Sequence, residues 1–187
     1  KIFGESLIGN SVKPISRIGC LPENPPALQN AIEAIKEADL IVLGPGSLYT
    51  SLLPNLLVPE IVEELLKNNS PKIYISNLMT QPGETDGLDV YQHIKSIEKQ
   101  LFNFGVNTRI FNAILSQGEF EGSSLIDYYR SRGAEPVICN KKRLVSEGYH
   151  VLQAPLYSKR ITPTLRHDYR RLARAVMYLY KKIKKAN

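Results

Sequence analysis

The sequence contains few residues that bind metals or cross-link chains. Its 187 residues include two cysteines and three histidines, and Cys20 and Cys139 have no Cys or His neighbour at ligand spacing. This argues against a zinc site, which needs several such ligands close together. We expect both cysteines to be small buried apolar residues and expect no metal centre.

Long apolar runs are also lacking. No segment approaches the roughly 20 apolar residues that a membrane helix needs, and the chain does not open with the residue pattern of a signal peptide. With 43% hydrophobic and 22% charged residues, the composition is that of an ordinary globular protein. We therefore expect a cytoplasmic protein without a membrane span.

Acidic residues are almost absent from the last part of the chain. From residue 159 onward there are ten Lys or Arg against Asp168 alone, a charge of +9, whereas residues 1–158 hold fourteen bases and seventeen acids, a charge of −3. Together these give the net charge of +6. Such a segment either binds an anionic partner such as nucleic acid or is a solvated helix surface, and we favour the second.

Strand-like and helix-like segments alternate along the chain. Strands are predicted at residues 40–43, 72–76, 108–115, 136–139 and 150–154, and helices at 27–38, 61–66, 90–101, 124–132 and 169–183. This order favours an α/β fold with a mostly parallel sheet covered on both faces, in a single domain.

Three local patterns add detail. Asn24 before two prolines predicts the start of the first long helix. The run at 40–43 predicts a strand buried on both faces. Residues 2–8 and 15–21 predict a β-hairpin or two edge strands, with the turn at 9–11.

The loop at residues 44–51, GPGSLYTS, follows the predicted strand at 40–43 directly. Glycine permits positive φ and close backbone approach, so consecutive N–H groups there can bind an anion. Ser47, Thr50 and Ser51 add hydroxyl groups. The loop lacks the lysine of a Walker motif and the spacing of a dinucleotide fingerprint. It predicts either a phosphate cradle or a strand-to-helix turn with polar capping.

A second polar loop, at residues 77–87, follows the strand at 72–76. It is longer than a simple turn requires. If the strands are parallel, both loops emerge at the same carboxyl edge of the sheet, where open α/β folds bind ligands. We therefore expect Ser47 and Thr80 to lie on one crevice.

Carboxylates in the second loop allow two interpretations. Glu84 and Asp86 are candidates for a general acid or base, or for hydrogen bonds to sugar hydroxyls. Alternatively, the Pro-Gly pair before them forms a type II turn and Asp86 caps the next helix. No Ser, His and Asp triad can be assembled, because His93 falls in a predicted helix and His150 in a predicted strand. We predict structural roles for both histidines.

Arg166 and Asp168 precede the last predicted helix. Asp168 is a candidate helix cap. Arg166 can bind a diphosphate through two hydrogen bonds if the start of that helix lies near the loops.

Several strings carry a family resemblance. ADLIVLGPGSLYTSLLPNLLVPEI, KIYISNLMTQPGETDG, GAEPV and RHD, with GES near the start, occur in this order. In order and separation they resemble the gluconeogenesis-factor (YvcK-like) branch of the CofD-like family, over almost the whole chain. The resemblance implies a Rossmann-like three-layer α/β/α fold that binds a UDP-sugar such as UDP-N-acetylglucosamine. It also implies a regulatory, non-catalytic role in cell shape and in growth on gluconeogenic carbon.

The same family implies an alternative function. CofD itself transfers a phospholactyl group to a deazaflavin coenzyme precursor with magnesium, so a transferase of phosphorus-containing groups that uses Mg is the alternative. The family's N-terminal section, which carries a GGGTG loop, has no counterpart here. We therefore expect residues 1–187 to form the C-terminal part of a single CofD-like domain, and self-association as a homo-oligomer is a further expectation.

The resemblance also implies the binding residues. Contacts to phosphate or base are expected from Gly44, Gly46, Ser47, Tyr49, Thr50 and Ser51. The remaining pocket wall is expected to contain Asn55, Asn77, Thr80, Gln81 and Glu84, with Arg166 closing it. No catalytic residue and no metal ligand is implied.

Overall fold

The computed structural model of the protein describes residues 1–8, 14–120, 124–158 and 164–185. Its sheet has four strands: β1 (Ile41–Leu43), β2 (Lys72–Ile75), β3 (Ala113–Gln117) and β4 (His150–Ala154). The spatial order is β1-β2-β3-β4, and each neighbouring pair is parallel. The predicted α/β class with a parallel sheet is confirmed.

Helices lie before the sheet and between and after its strands. They are α1 (Glu5–Ile8), α2 (Gln29–Glu37), α3 (Pro59–Lys67), α4 (Val90–Phe102), α5 (Ser124–Arg130), α6 (Lys141–Ser146) and α7 (Tyr169–Lys184). Between β1 and α3 the chain forms a π-helical turn (Leu48–Leu52) and a 3-10 turn (Leu53–Leu57). Over the described ranges, no helix is long and apolar enough to cross a membrane.

The sheet separates two apolar clusters. On one face Tyr74 and Ile114 pack with apolar side chains of α3 and α4. On the other face Ile73 and Ile75 pack with side chains of α5 and α7. Successive strand residues point to opposite faces, so the two clusters give the expected three layers. Every residue of β2 and β3 is buried, as expected for the central strands of a parallel sheet covered on both faces.

β1 is an edge strand, so the prediction that both of its faces are buried is wrong. Ile41 and Leu43 pack against the cluster under α3 and α4. Val42 points to the opposite face and is 39% exposed. An apolar run therefore did not distinguish an edge strand from a central one.

The hairpin predicted near the start of the chain is wrong. Residues 5–8 form α1, and residues 14–20 have no regular secondary structure; residues 9–11, the predicted turn, lie outside the described residues. The segment is held by a side chain of α4, because Gln100 Nε2 donates to Ile18 O at 3.1 Å. A side-chain anchor replaces the strand partner that the apolar pattern suggested.

The first long helix begins later than predicted. Asn24 has a φ of +52°, in the left-handed region, and does not cap the helix. Leu28 is the N-cap of α2 and makes no side-chain capping bond. The preceding Ala27 N–H donates instead to the carboxylate of Glu60 in α3. The two prolines thus lie in an extended lead-in, and packing against α3 sets the helix start.

Predictions for the second half of the chain are partly confirmed. The last strand and last helix match, and Asp168 caps α7 by accepting from the N–H groups of Arg170 and Arg171 at 3.0 Å. The predicted helix at 124–132 ends earlier, at Arg130, and Gly133, shortly after it, has a positive φ of +79°.

Other predictions for this half are wrong. The predicted strand at 136–139 is a single antiparallel bridge between Met79 and Pro136. The third strand begins at Ala113 rather than at 108, and α6 was not predicted. Both cysteines are half-buried rather than buried. These differences arise where tertiary pairing, which a local pattern does not encode, decides the structure.

Candidate ligand-binding cleft

Gly44 brings the end of β1 against the end of β2. Its φ is +94°, and a Cβ on this residue would lie 2.7 Å from Ile75 O. Only glycine fits such a backbone and such a space. The close approach places the loop after β1 beside the loop after β2, as parallel strands predict.

A cleft of about 660 Å³ lies between these loops and the segment that precedes α7. Ser47 and Thr80 both line it, so the two loops share one crevice as predicted. Half of the twelve predicted binding residues are lining residues: Gly46, Ser47, Asn77, Thr80, Gln81 and Arg166. The first and last of the segments that meet here, near Gly46 and Arg166, are more than a hundred residues apart in sequence.

The remaining predicted residues of the first loop do not line the cleft. Tyr49 is buried in the apolar cluster, with its hydroxyl 3.5 Å from both Ile15 O and Ser96 Oγ. Asn55 is exposed, and its Nδ2 donates to Ser51 O at 2.7 Å. Tyr49 lies in the π-helical turn and Asn55 in the 3-10 turn that follows it, and any part they have in binding stays a prediction.

Thr80 joins the second loop to the segment after α5. Its N–H donates to Glu135 O at 2.7 Å, and its hydroxyl oxygen accepts from Glu135 N–H at 2.8 Å. Nearby, Gln81 N–H donates to Thr85 Oγ1 at 2.8 Å. These bonds fix the backbone of the loop, so Thr80 has a clear structural role in the cleft wall.

The carboxylates of the second loop have different surroundings. Asp86 Oδ2 accepts from Gly83 N–H at 2.7 Å. The prediction that Asp86 caps the next helix is wrong: Asp89 is the cap, its side chain accepting from Gln92 N–H at 2.7 Å. The reason is that Gly87, with φ +68°, lets the loop continue before α4 begins. Glu84 is half-buried and does not line the cleft.

The third wall of the cleft comes from α5 and the segment before α7. Tyr129 of α5 accepts a hydrogen bond from Leu165 N–H at 3.0 Å, which holds this segment in place. Arg166 is exposed, and its Nε donates to Thr164 Oγ1 at 3.2 Å. Among the described residues no carboxylate pairs with Arg166 and none lines the cleft. As far as the described ranges show, the cleft therefore offers an anion a cation that no carboxylate neutralises.

His167 lies beside Arg166 and lines the same cleft. Its backbone forms an isolated antiparallel β-bridge with Tyr157. Its ring is hydrogen-bonded to the backbone of Ser76 at the end of β2. Burial lowers the pKa of His167 below its ordinary value of 6.5, and the bond to Ser76 opposes this shift. The neutral form is therefore favoured at pH 7.

Several polar atoms in the cleft are buried without a partner. Asn77 Oδ1, Gln81 Oε1 and His167 Nε2 have no hydrogen bond to any part of the chain that the structure describes. Leaving such an atom unsatisfied costs about 1–3 kcal/mol. Three of them on one cleft mark a place where a ligand or ordered water supplies the missing partners.

Two lining residues, Tyr129 and His167, are missing from the sequence-based list. Tyr129 lies in a helix and carries no local signal of a binding role. His167 lies in the RHD string, where Arg166 and Asp168 have more obvious roles. The order of charged residues alone did not show that the histidine faces inward.

His93 and His150 lie outside the cleft lining, as their predicted structural roles require. His93 is fully buried in α4, with Nδ1 2.8 Å from Asp89 O. Burial lowers the pKa of this ring, although the contact with Asp89 opposes the shift. His150 is exposed at the start of β4.

A second cavity, of about 760 Å³, lies near the amino ends of β3 and β4. Its two carboxylates are already paired: Lys95 Nζ is 2.8 Å from Glu98 Oε2 and 3.1 Å from Glu147 Oε2. The Tyr149 hydroxyl donates to Glu98 Oε1 at 2.8 Å. Because none of its lining residues carries a buried polar atom without a partner among the described residues, this cavity is a weaker candidate ligand site than the cleft at the carboxyl edge.

The described residues do not fit a protein-held magnesium ion. Within the described ranges, no three His, Cys, Asp or Glu side chains lie together as a metal-binding group. Mg²⁺ prefers carboxylate oxygens, and the cleft lining has none. We derive no step through a metal.

A comparison with known families shows which family the chain belongs to. Residues 1–157 match the family described as 2-phospho-L-lactate transferase CofD. The chain belongs to the CofD family. A member of the UPF0052 family from Bacillus halodurans superposes with a TM-score of 0.85 at 38% identity, covering 94% of this chain and 55% of that chain.

Two relatives of the chain have names that refer to a function. The protein named gluconeogenesis factor from Halalkalibacterium halodurans is 38% identical over 94% of this chain and 53% of its own length. That of Bacillus subtilis is 36% identical over 96% of this chain and 55% of its own length. The chain thus spans about half the length of these relatives.

Proposed function

We propose that this CofD-family protein binds a UDP-sugar, such as UDP-N-acetylglucosamine, in the cleft at the carboxyl edge of its sheet. In this proposal it is a regulatory gluconeogenesis factor that acts in cell shape and growth on gluconeogenic carbon. The names of its relatives support the gluconeogenic part. The observation that carries the ligand is the meeting of Ser47, Asn77 and Arg166 on one cleft.

The chemistry of the cleft suits this ligand class. Arg166 supplies a guanidinium that can hold two phosphate oxygens at once. The hydroxyl of Ser47 adds a neutral donor. Ser47 is the N-cap of the π-helical turn, yet its side chain makes no capping bond. Its hydroxyl is therefore not used by the helix that follows.

Isothermal titration calorimetry with UDP-N-acetylglucosamine tests the proposal. We expect saturable binding, and Arg166→Ala should weaken it about 10- to 100-fold, because a charge-assisted hydrogen bond contributes about 1.5–3 kcal/mol. Arg174→Ala is the matched control, since Arg174 is an exposed arginine of α7 whose Nε donates to Arg170 O. Absence of saturable binding, or equal affinity of the Arg166 variant and wild type, contradicts the proposal.

The family description favours a second candidate, transfer of a phospholactyl group to a deazaflavin coenzyme precursor. A turnover assay with a deazaflavin acceptor and added Mg²⁺ separates the two. Product formation supports the transferase, and binding of the UDP-sugar without turnover supports the regulatory function.

A further inference from the structure

The inner part of the cleft differs chemically from the part near Arg166. Arg166 and Ser47 can donate hydrogen bonds to an anion. In contrast, Asn77 Oδ1 and Gln81 Oε1 are buried acceptors without a partner among the described residues. A phosphate oxygen is itself an acceptor and cannot satisfy them. In these amide orientations, the two oxygen atoms need a ligand group that carries a hydrogen.

His167 determines, more firmly than the two amides do, whether the ligand group must donate or accept a hydrogen bond. Its ring is bonded to the Ser76 backbone, and Nε2 has no partner within the described part of the chain. Because Nε2 has no partner, we assign the contact with Ser76 to Nδ1, and a ring nitrogen that donates to a backbone carbonyl carries the proton. In the neutral ring, Nε2 is then an acceptor.

The two amides can exchange a hydrogen-bond acceptor for a donor, whereas the neutral histidine ring cannot. Rotation of the terminal amide exchanges oxygen for nitrogen in Asn77 and Gln81, so each can present an acceptor or a donor. His167 has its Nδ1 proton held by Ser76, so Nε2 has one role in the neutral ring. His167 is thus the residue that selects the hydrogen-bonding character of the ligand group.

We propose that His167 Nε2, with the amides of Asn77 and Gln81, forms a subsite that accepts hydrogen bonds from hydroxyl or N–H groups in the uncharged part of the ligand. This inference rests on the proposed function, in which Arg166 holds the phosphates. It assigns a neutral, hydroxyl-bearing or amide-bearing group to the inner cleft and the anion to the rim. It also makes His167 a determinant of selectivity rather than of anion binding.

Two substitutions of His167 distinguish ligand recognition from a structural role. His167→Asn keeps an amide near the position of Nδ1, where it can still bond to Ser76, but places nothing at the position of Nε2. His167→Gln extends an amide to the position of Nε2. Ligand recognition therefore predicts that glutamine is tolerated and asparagine is not. A purely structural role at Ser76 predicts the reverse order.

The test uses calorimetry with two probes, UDP-N-acetylglucosamine and inorganic pyrophosphate. We expect His167→Asn to weaken binding of the UDP-sugar up to about tenfold, the range of one neutral hydrogen bond, and to leave pyrophosphate binding within about twofold of wild type. His167→Gln should retain most of the UDP-sugar affinity. His150→Asn, at an exposed histidine of β4, is the control substitution.

Other outcomes overturn the inference separately from the proposed function. If His167→Asn lowered the affinity for both probes equally, the ring would belong to the anion site. If it lowered neither affinity, the ring would have no part in binding. Wild type that binds pyrophosphate but not the UDP-sugar would also overturn the inference, while an anion site at Arg166 stands. Wild type that binds neither probe would overturn the proposed function and this inference together. Circular dichroism and thermal unfolding of each variant show whether a loss comes from misfolding.

Discussion

At the scale of single residues, Gly44 controls how closely the loops after β1 and β2 approach each other. We expect Gly44→Ala to lower the free energy of unfolding by about 2 kcal/mol or more, because the left-handed backbone costs about 1–2 kcal/mol in alanine and the new Cβ would meet Ile75 O. Gly87→Ala is the control, since Gly87 has a positive φ but open space around it. Urea denaturation measures both, and equal losses would show that the close contact is not important.

The sequence predicted the cleft-lining residues that follow directly from strand ends. Ser47, Asn77 and Thr80 come just after β1 and β2, so parallel topology alone places them at one edge. Tyr49 was not predictable in this way, because the π-helical turn directs its ring into the apolar cluster. His167 was missed because its role depends on a contact with Ser76 that is distant in sequence.

At the scale of elements, Gln117 connects the end of β3 to the segment that follows β4. It is 3% exposed, and its Oε1 accepts from the N–H groups of Leu156 and Tyr157 at 2.7 and 3.1 Å. Tyr157 in turn bridges His167 in the cleft wall. A buried glutamine thus links the sheet to the third wall of the cleft.

We expect Gln117→Leu to lower the free energy of unfolding by about 2–4 kcal/mol. Two buried backbone donors lose their acceptor, at about 1–3 kcal/mol each, and some of this loss is recovered by rearrangement. Gln153→Leu, at an exposed glutamine of β4, is the matched control and should change stability by less than about 0.5 kcal/mol. Urea denaturation compares them, and similar values for both variants would contradict the assigned role of Gln117.

Elements with a strong repeating pattern were predictable, and those that depend on tertiary partners were not. α4 and α7 show apolar residues at helical spacing and appear close to the predicted bounds. The start of α2 depends on packing against α3, and the segment at 136–139 depends on one bridge to Met79. Local sequence does not encode such contacts between distant segments.

At the scale of the whole molecule, β1 leaves one edge of the described sheet uncovered. An edge strand presents unpaired backbone groups that can pair with another chain. Val42 is exposed although it lies on the same face of the sheet as α7, because α7 packs over β3 and β4 toward the other edge of the sheet. The exposed apolar side chain of Val42 on this edge is consistent with self-association of the protein.

We expect the sedimentation coefficient of the protein to rise with concentration, and Val42→Lys to reduce this rise because a charge on an edge strand opposes pairing. Val145→Lys is the control, since Val145 is an exposed valine on α6, away from this edge. Analytical ultracentrifugation compares the three proteins. A coefficient independent of concentration in wild type, or equal behaviour of both variants, would contradict pairing through β1.

The cleft is built from residues near position 46 and from residues near position 166, with most of the chain between them. During synthesis the first wall leaves the ribosome long before the last one exists. A growing chain without the segment ahead of α7 would have no complete cleft, so capacity to retain a UDP-sugar would arise late. An immobilised nucleotide would then separate finished molecules from prematurely terminated ones.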